Sequence, residues 1–151
     1  MRSIILNLTY NLLRGSNLAR RFAEAACDAN KTGVHEYLVL TAAAQRGAEG
    51  IGMAELLTLT GISRARIRTI LDGMVEAQLI RREAHAEDKR AVTIQLRSRG
   101  RALMEEVDRD LELRMKVVLG SLSYDEMGEL NKRLQNLVLL DELTRSGLMG
   151  G

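Results

Sequence analysis

The sequence predicts a mainly α-helical chain that carries one small β-hairpin. Three observations predict it: long stretches with apolar residues at three-four spacing, a short period-two interruption near the middle, and a cluster of basic residues around that interruption. The interruption consists of residues 79–83 (LIRRE) and 91–96 (AVTIQL), joined by the charged, proline-free AHAEDKR of residues 84–90.

The elements follow in order. Between residues 2 and 30, Ile5, Leu8, Leu12, Gly15, Ala19, Phe22 and Ala26 keep a strict three-four alternation. Such a narrow seam packs against another helix, and a second copy of the chain can supply it. Asn30 and Gly33 bracket a break, residues 34–45 read as a second helix, and Met53–Leu59 form a third that stops at Thr60-Gly61. Ser63 is a good N-cap for a helix running to about Ala77, because its hydroxyl can accept from an orphan amide of the first turn. Ile67, Ile70, Leu71 and Met74 make the buried stripe of that helix. Its opposite face is centred on Ala65, Thr69 and Asp72, with Arg66 and Arg68 on the shoulders and Arg64 at the helix start. Two short helices with a tight turn and a basic second member describe a helix-turn-helix.

Leu79–Glu83 and Ala91–Leu96 are then the strands of a wing, with Val92, Ile94 and Leu96 alternating against Ala91, Thr93 and Gln95. Its tip is too polar for a core and projects toward whatever the helix meets. From residue 98 to 120 the helical period returns, with Leu103, Val107, Leu111, Val118 and Leu122 on one side. A last helix, from about Tyr124 to Ser146, buries Met127, Leu130, Leu134 and Leu137, and residues 147–151 fray. The expected organisation is a first dimerisation helix (1–30), a DNA-binding domain (34–98), a linker helix with a second dimerisation helix (99–146), and the tail.

Charge is unevenly spread. The chain of 151 residues is +2 overall, yet residues 61–101 hold ten Lys/Arg against five Asp/Glu, so the remainder is net acidic. A basic middle with an acidic flank suits a segment that meets a polyanion, although a solvated charged face is the plainer reading. Cys27 stands alone, which excludes an internal disulfide and a cysteine-based zinc site and fits a reducing cytosol. With neither an apolar run of about 18 residues nor a signal-peptide pattern, a cytoplasmic location is expected. Three Tyr and one Phe are too few for stacking on single-stranded bases to be the main activity. His35 and His85 lie far apart in sequence, and no Gly-rich phosphate loop or carboxylate pair accompanies them. Neither enzyme activity, a metal nor a cofactor is expected.

Two long helical ends enclosing a winged helix-turn-helix resemble the MarR family of transcription regulators. The local likeness runs over TGISRARIRTILDGMVEAQLIRREAHAEDKRAVTIQLRSRGRALMEEV, residues 60–107. It includes the wing's Asp-x-Arg (Asp88, Lys89, Arg90) and the Gly-Arg-x-Leu helix start (Gly100, Arg101, Leu103). Gln78 stands where the family often has Gly, Arg66 where it has Thr, Thr69 where it has Arg, and Leu96-Arg97 where it has Leu-Thr. The wing also lacks the family's common proline. The resemblance implies a homodimer clamped by its first and last helices through Ile5, Leu8, Leu12, Met127, Leu130, Leu134 and Leu137. Such a dimer binds a pseudo-palindromic operator in double-stranded DNA and usually represses, with a small-molecule effector held between helical hub and winged domain, where His35 is a candidate lining residue. Expected DNA contacts are Ser63, Arg64, Ala65, Arg66, Arg68 and Thr69 on the helix and Arg81, Arg82, Asp88, Lys89 and Arg90 on the wing. Arg90 enters the minor groove and Asp88 orients an arginine. The competing expectation is a winged-helix protein–protein module, since fold alone does not determine function.

Overall fold

A computed structural model describes residues 3–84, 87, 91–145 and 147. Serines open three of its helices. Ser3 accepts from the Leu6 amide at the start of α1 (Ile4–Ala29), and Ser63 from the Arg66 amide at the start of α4 (Arg64–Glu76), both at 3.3 Å. Ser123 accepts from the Glu126 amide at 3.2 Å while the Glu126 carboxylate accepts from the Ser123 amide at 2.8 Å, a capping box that opens α6 (Tyr124–Arg145). Those hydrogen bonds hold the Glu126 carboxyl below its ordinary range. Between α1 and α4 lie α2 (Val34–Arg46), a 3-10 turn (Gly47–Glu49), β1 (Ile51–Gly52) and α3 (Met53–Thr60). After α4 come β2 (Ile80–Ala84), β3 (Val92–Leu96) and α5 (Ser98–Leu119).

The chain divides into two compact units, Met1–Leu113 and Arg114–Gly151. In the first, Leu40 of α2, Leu56 of α3, Ile67 and Leu71 of α4, and Ile51, Ile80 and Ile94 of the strands form one buried cluster. Burying each such side chain contributes about 1.5–3 kcal/mol, so this cluster dominates the stability of the winged segment. A smaller cluster of Ala26, Cys27 and Val107, with Val34, Leu103 and Leu111 against it, joins the end of α1 to α2 and α5. Tyr37 packs on both clusters and donates from its hydroxyl to Asp108 at 2.6 Å. Burial first, and the Asp108 hydrogen bond second, push its pKa up to about 12.

Two helices end in matching left-handed turns. After α4, Gln78 takes φ 60°, the Leu79 amide donates to the Met74 carbonyl and the Gln78 amide to that of Val75. After α1, Lys31 takes φ 55° with the same pair of bonds, Thr32 to Cys27 and Lys31 to Asp28. Both are Schellman turns, built without the glycine that favours them.

The structure bears out the hairpin and refines four expectations. To the hairpin of β2 and β3 it adds β1, in the antiparallel order β1-β3-β2 with Ile51 opposite Ile94. Two residues are too short a run for periodicity to reveal. On β3 the alternation holds at Ile94 and, half-buried against the core, at Leu96, but Val92 is 41% exposed and Gln95 only 7%. Val92 lies beyond the core toward the tip, whereas Gln95 is covered on the outer face by the 3-10 turn, where its amide nitrogen donates to the Ala48 carbonyl at 3.0 Å. Ile70 is half-buried because it borders a cleft. Finally, α6 buries nothing within the chain: Met127 is half-buried and Leu130, Leu134 and Leu137 are exposed. An apolar stripe guarantees a need for cover, and this unit does not supply it.

Candidate nucleic-acid interface

The helix-turn-helix is shaped at its turn. Gly61 caps α3 at φ 66°, a left-handed conformation natural to glycine, and Ile62 is buried directly after it. This reversal places Ser63 at the outer start of α4. Ile67, Leu71 and Met74 then bury the inner stripe, which obliges the other residues to face outward. Arg64, Ala65, Arg66, Arg68 and Thr69 are all exposed, and none of these three arginines forms an ion pair with a described residue. Three unpaired guanidinium groups within two helical turns repel one another and attract anions.

The wing arginines have partners. Arg82, on the sheet face that carries Ile80, reaches the Asp72 carboxylate of α4 at 2.6 Å. Arg81, on the other face, donates from Nε and Nη2 to the Gln95 side-chain oxygen at 3.0 and 2.7 Å and pairs with Glu83 at 3.1 Å. Gln95 also donates to Glu83 at 3.0 Å. Gln95 thus joins β2, β3 and the 3-10 turn, while Asp72 joins the wing to α4. Neither role was foreseen: Gln95 occupies an outward position of the alternation, and Asp72 pairs with a residue ten positions away across a turn. Asp88, Lys89, Arg90 and His85 lie outside the described residues.

A cleft of about 510 Å³ opens beside the back of α4. Lys31, Thr32, Gly33 and Glu36 line one wall and Thr69, Ile70, Gly73, Met74 and Ala77 the other, with Leu79 between. His35 is half-buried and does not line this cleft. One residue along a helix is a rotation of about 100°, enough to take it off the wall that Glu36 forms. Cys27 is 1% exposed, and its thiol is pushed up to about 11 by burial, then by the charges of Asp28 and Glu36. A protonated, enclosed thiol is a poor nucleophile. Among the described residues no group of three or more His, Cys, Asp or Glu is placed to hold a metal ion, and no helix is long and apolar enough to cross a membrane.

Comparison with known proteins places this geometry. Residues 32–91 match the sequence model of the MarR family. Among curated proteins no sequence matches the chain. Its fold is similar to that of CouR from Rhodococcus jostii, solved bound to p-coumaroyl-CoA (TM-score 0.78, 18% identity, 91% of this chain and 96% of that one). It is also similar to wild-type MarR from E. coli in its apo form (TM-score 0.70, 18% identity, 91% and 98%). A third likeness is to the M. tuberculosis regulator MosR, solved in complex with DNA (TM-score 0.67, 20% identity, 91% and 97%). The chain thus has the winged-helix fold of solved MarR-family regulators, and the match to the family's sequence model lies within its residues 32–91.

Proposed function

We infer that the chain is a transcription regulator that binds double-stranded DNA sequence-specifically as a homodimer, with α4 in the major groove and the wing at the groove beside it. The observation that carries this reading is the outer face of α4, where Arg64, Arg66 and Arg68 are exposed without ion pairs among the described residues. Arginine forks donate to guanine edges and to phosphates, and Ala65 and Thr69 are small enough to let the helix sit deep. Arg66 and Arg68 are the base-reading candidates. Ser63, Arg64, Arg81 and Arg82 are phosphate candidates, Arg82 being held ready by Asp72. On the wing, Lys89 serves phosphate, Arg90 the minor groove, and Asp88 orients an arginine. MosR, a protein of similar fold, was solved in complex with DNA, which supports DNA as the partner.

Dimerisation follows from exposed apolar seams. On α1, Ile5, Leu8 and Leu12 are 71%, 55% and 41% exposed, and on α6 the run Leu137 to Leu140 is exposed throughout. Contiguous apolar surface of this extent marks an interface in a water-soluble chain. A second copy provides the same seams and a two-fold arrangement of α4 that matches a pseudo-palindrome.

The cleft behind α4 is the proposed effector site, and the regulator is read as a repressor that an occupant releases. Thr69, Ile70, Gly73 and Met74 belong to both the cleft wall and the DNA-reading helix, so an occupant contacts the element whose placement matters. CouR, of similar fold, was solved bound to p-coumaroyl-CoA, which supports a small-molecule occupant.

Selection from a random duplex pool, followed by titration of the selected site at two salt concentrations, tests the reading. Arg66→Ala or Arg68→Ala should weaken binding by about 1–3 kcal/mol per half-site and relax one base-pair preference. Absence of salt-dependent binding to any duplex would leave the winged segment as a protein–protein module and sink the proposal.

A further inference from the structure

Where β3 runs into α5, Arg81, Leu96, Arg97 and Ser98 line an open pocket of about 390 Å³. Its polar lining is cationic. The Arg81 guanidinium is held in place through Nε and Nη2 by Gln95, with Glu83 beside it, and its Nη1 group has no partner among the described residues. Glu83 offsets the charge of Arg81, which leaves Arg97 as the net positive charge on the pocket. Arg97 is exposed and makes no ion pair with a described residue, and the same holds for Arg99 and Arg101 one turn further on.

These three arginines sit where a helix tolerates them least. They flank the first turn of α5, which contains no acidic residue, so their charges lie at the positive end of the helix dipole. Each such placement weakens the helix start. Arg97 occupies the position that a hydroxyl residue fills in the resembled family, and a guanidinium cannot accept a hydrogen bond from the amides that follow it. The local sequence therefore works against its own helix start. A side-chain choice that opposes local stability without a compensating contact points to function.

We propose that this pocket is a phosphoryl-binding site, in which Arg97 and the Nη1 group of Arg81 donate to the oxyanion and the Ser98 hydroxyl completes the cradle. Two guanidinium groups, one of them anchored, provide the planar donor forks that phosphate geometry favours. Leu96, packed against the core, is the apolar residue of the lining. The pocket includes no residue of α4 and shares no lining residue with the cleft beside that helix, so it is a separate site. The phosphoryl group belongs either to a free phosphorylated small molecule or to the backbone of bound duplex.

The test uses the full chain and Arg97→Thr, which restores a capping residue and so does not threaten the fold. In the first arm, thermal unfolding is followed with inorganic pyrophosphate against sodium chloride at equal ionic strength. The parent should melt several degrees higher in pyrophosphate, and Arg97→Thr should lose most of that gain while Arg97→Lys keeps part of it. In the second arm, the slope of log affinity against log salt is measured on duplex DNA. Loss of one phosphate contact per subunit lowers that slope by about 0.9 per subunit. A change in the first arm alone names a free phosphorylated ligand as the source. A lowered DNA slope, with or without the first change, names the duplex backbone. If Arg97→Thr matches the parent in both arms, the proposal is overturned. Because the first arm contains no DNA, a chain that fails to bind any duplex still decides it.

Discussion

Gln78 is held at φ 60° by the hydrogen bonds that close α4, and an L side chain there is strained by about 1–2 kcal/mol relative to glycine. Glycine also loses more freedom on folding, which offsets part of the gain. Gln78→Gly should still stabilise the chain, by about 0.5–1 kcal/mol in denaturant unfolding. A destabilised variant would show that the Gln78 side chain makes a contact worth more than the strain. Cys27 gives a second residue-scale prediction. Buried at 1% exposure and pushed up to about 11, it should resist alkylation in native protein at pH 8 and react at once on unfolding. Rapid native labelling would show that α1 opens near its end. Gly100 has a plainer role: a Cβ there would lie 2.1 Å from the Leu79 carbonyl oxygen, so α5 can approach the end of α4 only through a glycine.

Among elements, α4 and the wing share the buried cluster of Ile67, Leu71, Met74, Ile80 and Ile94, and polar contacts at the surface add to it. Arg82 and Asp72 keep 39% and 68% of their side-chain surface in water, so the pair adds at most about 1 kcal/mol. Asp72→Ala should accordingly change unfolding free energy by less than that. A loss of about 3 kcal/mol would mean that the pair is shielded from solvent. The network on the opposite face differs at its centre, since Gln95 is buried with both its side-chain oxygen and nitrogen engaged, while its partners Arg81 and Glu83 are exposed. Orientation of the wing base therefore rests more on Gln95 than on the visible ion pair.

At the scale of the molecule, the exposed seams bear on the proposed dimer. Leu12 on α1 and Leu134 on α6 are 41% and 40% exposed in the single chain, each inside an apolar stripe. If a second copy covers them, Leu12→Glu or Leu134→Glu should lower the sedimenting mass or unfold the chain, because obligate dimers seldom keep a stable subunit. The parent should sediment at about twice the chain mass at micromolar concentration. A well-folded parent monomer there would remove the dimer, and with it the two-fold reading of a palindrome. The α4 surface would survive that result.

Local chemistry made most of this fold legible. Ser63 before an apolar stripe announces α4, Thr60-Gly61 announces the stop before it, and the return of the three-four period after Arg97 announces α5. Each depends on neighbours within a few residues, which is the range over which capping and periodicity act. The outward placement of Arg64, Arg66 and Arg68 was legible for the same reason, since burying Ile67 and Leu71 settles where the rest of a helix points. Tertiary structure alone decided what depends on distant partners. Burial of Gln95 needed Ala48, 47 positions earlier, and the third strand needed Ile51 opposite Ile94. The pairing of Arg82 with Asp72 needed the turn that folds β2 back on α4. The cleft that excludes His35, and the pocket that joins Arg81 to Arg97, exist only where separate segments meet. A sequence states which side chains want cover or charge; only the fold states which distant residue supplies it.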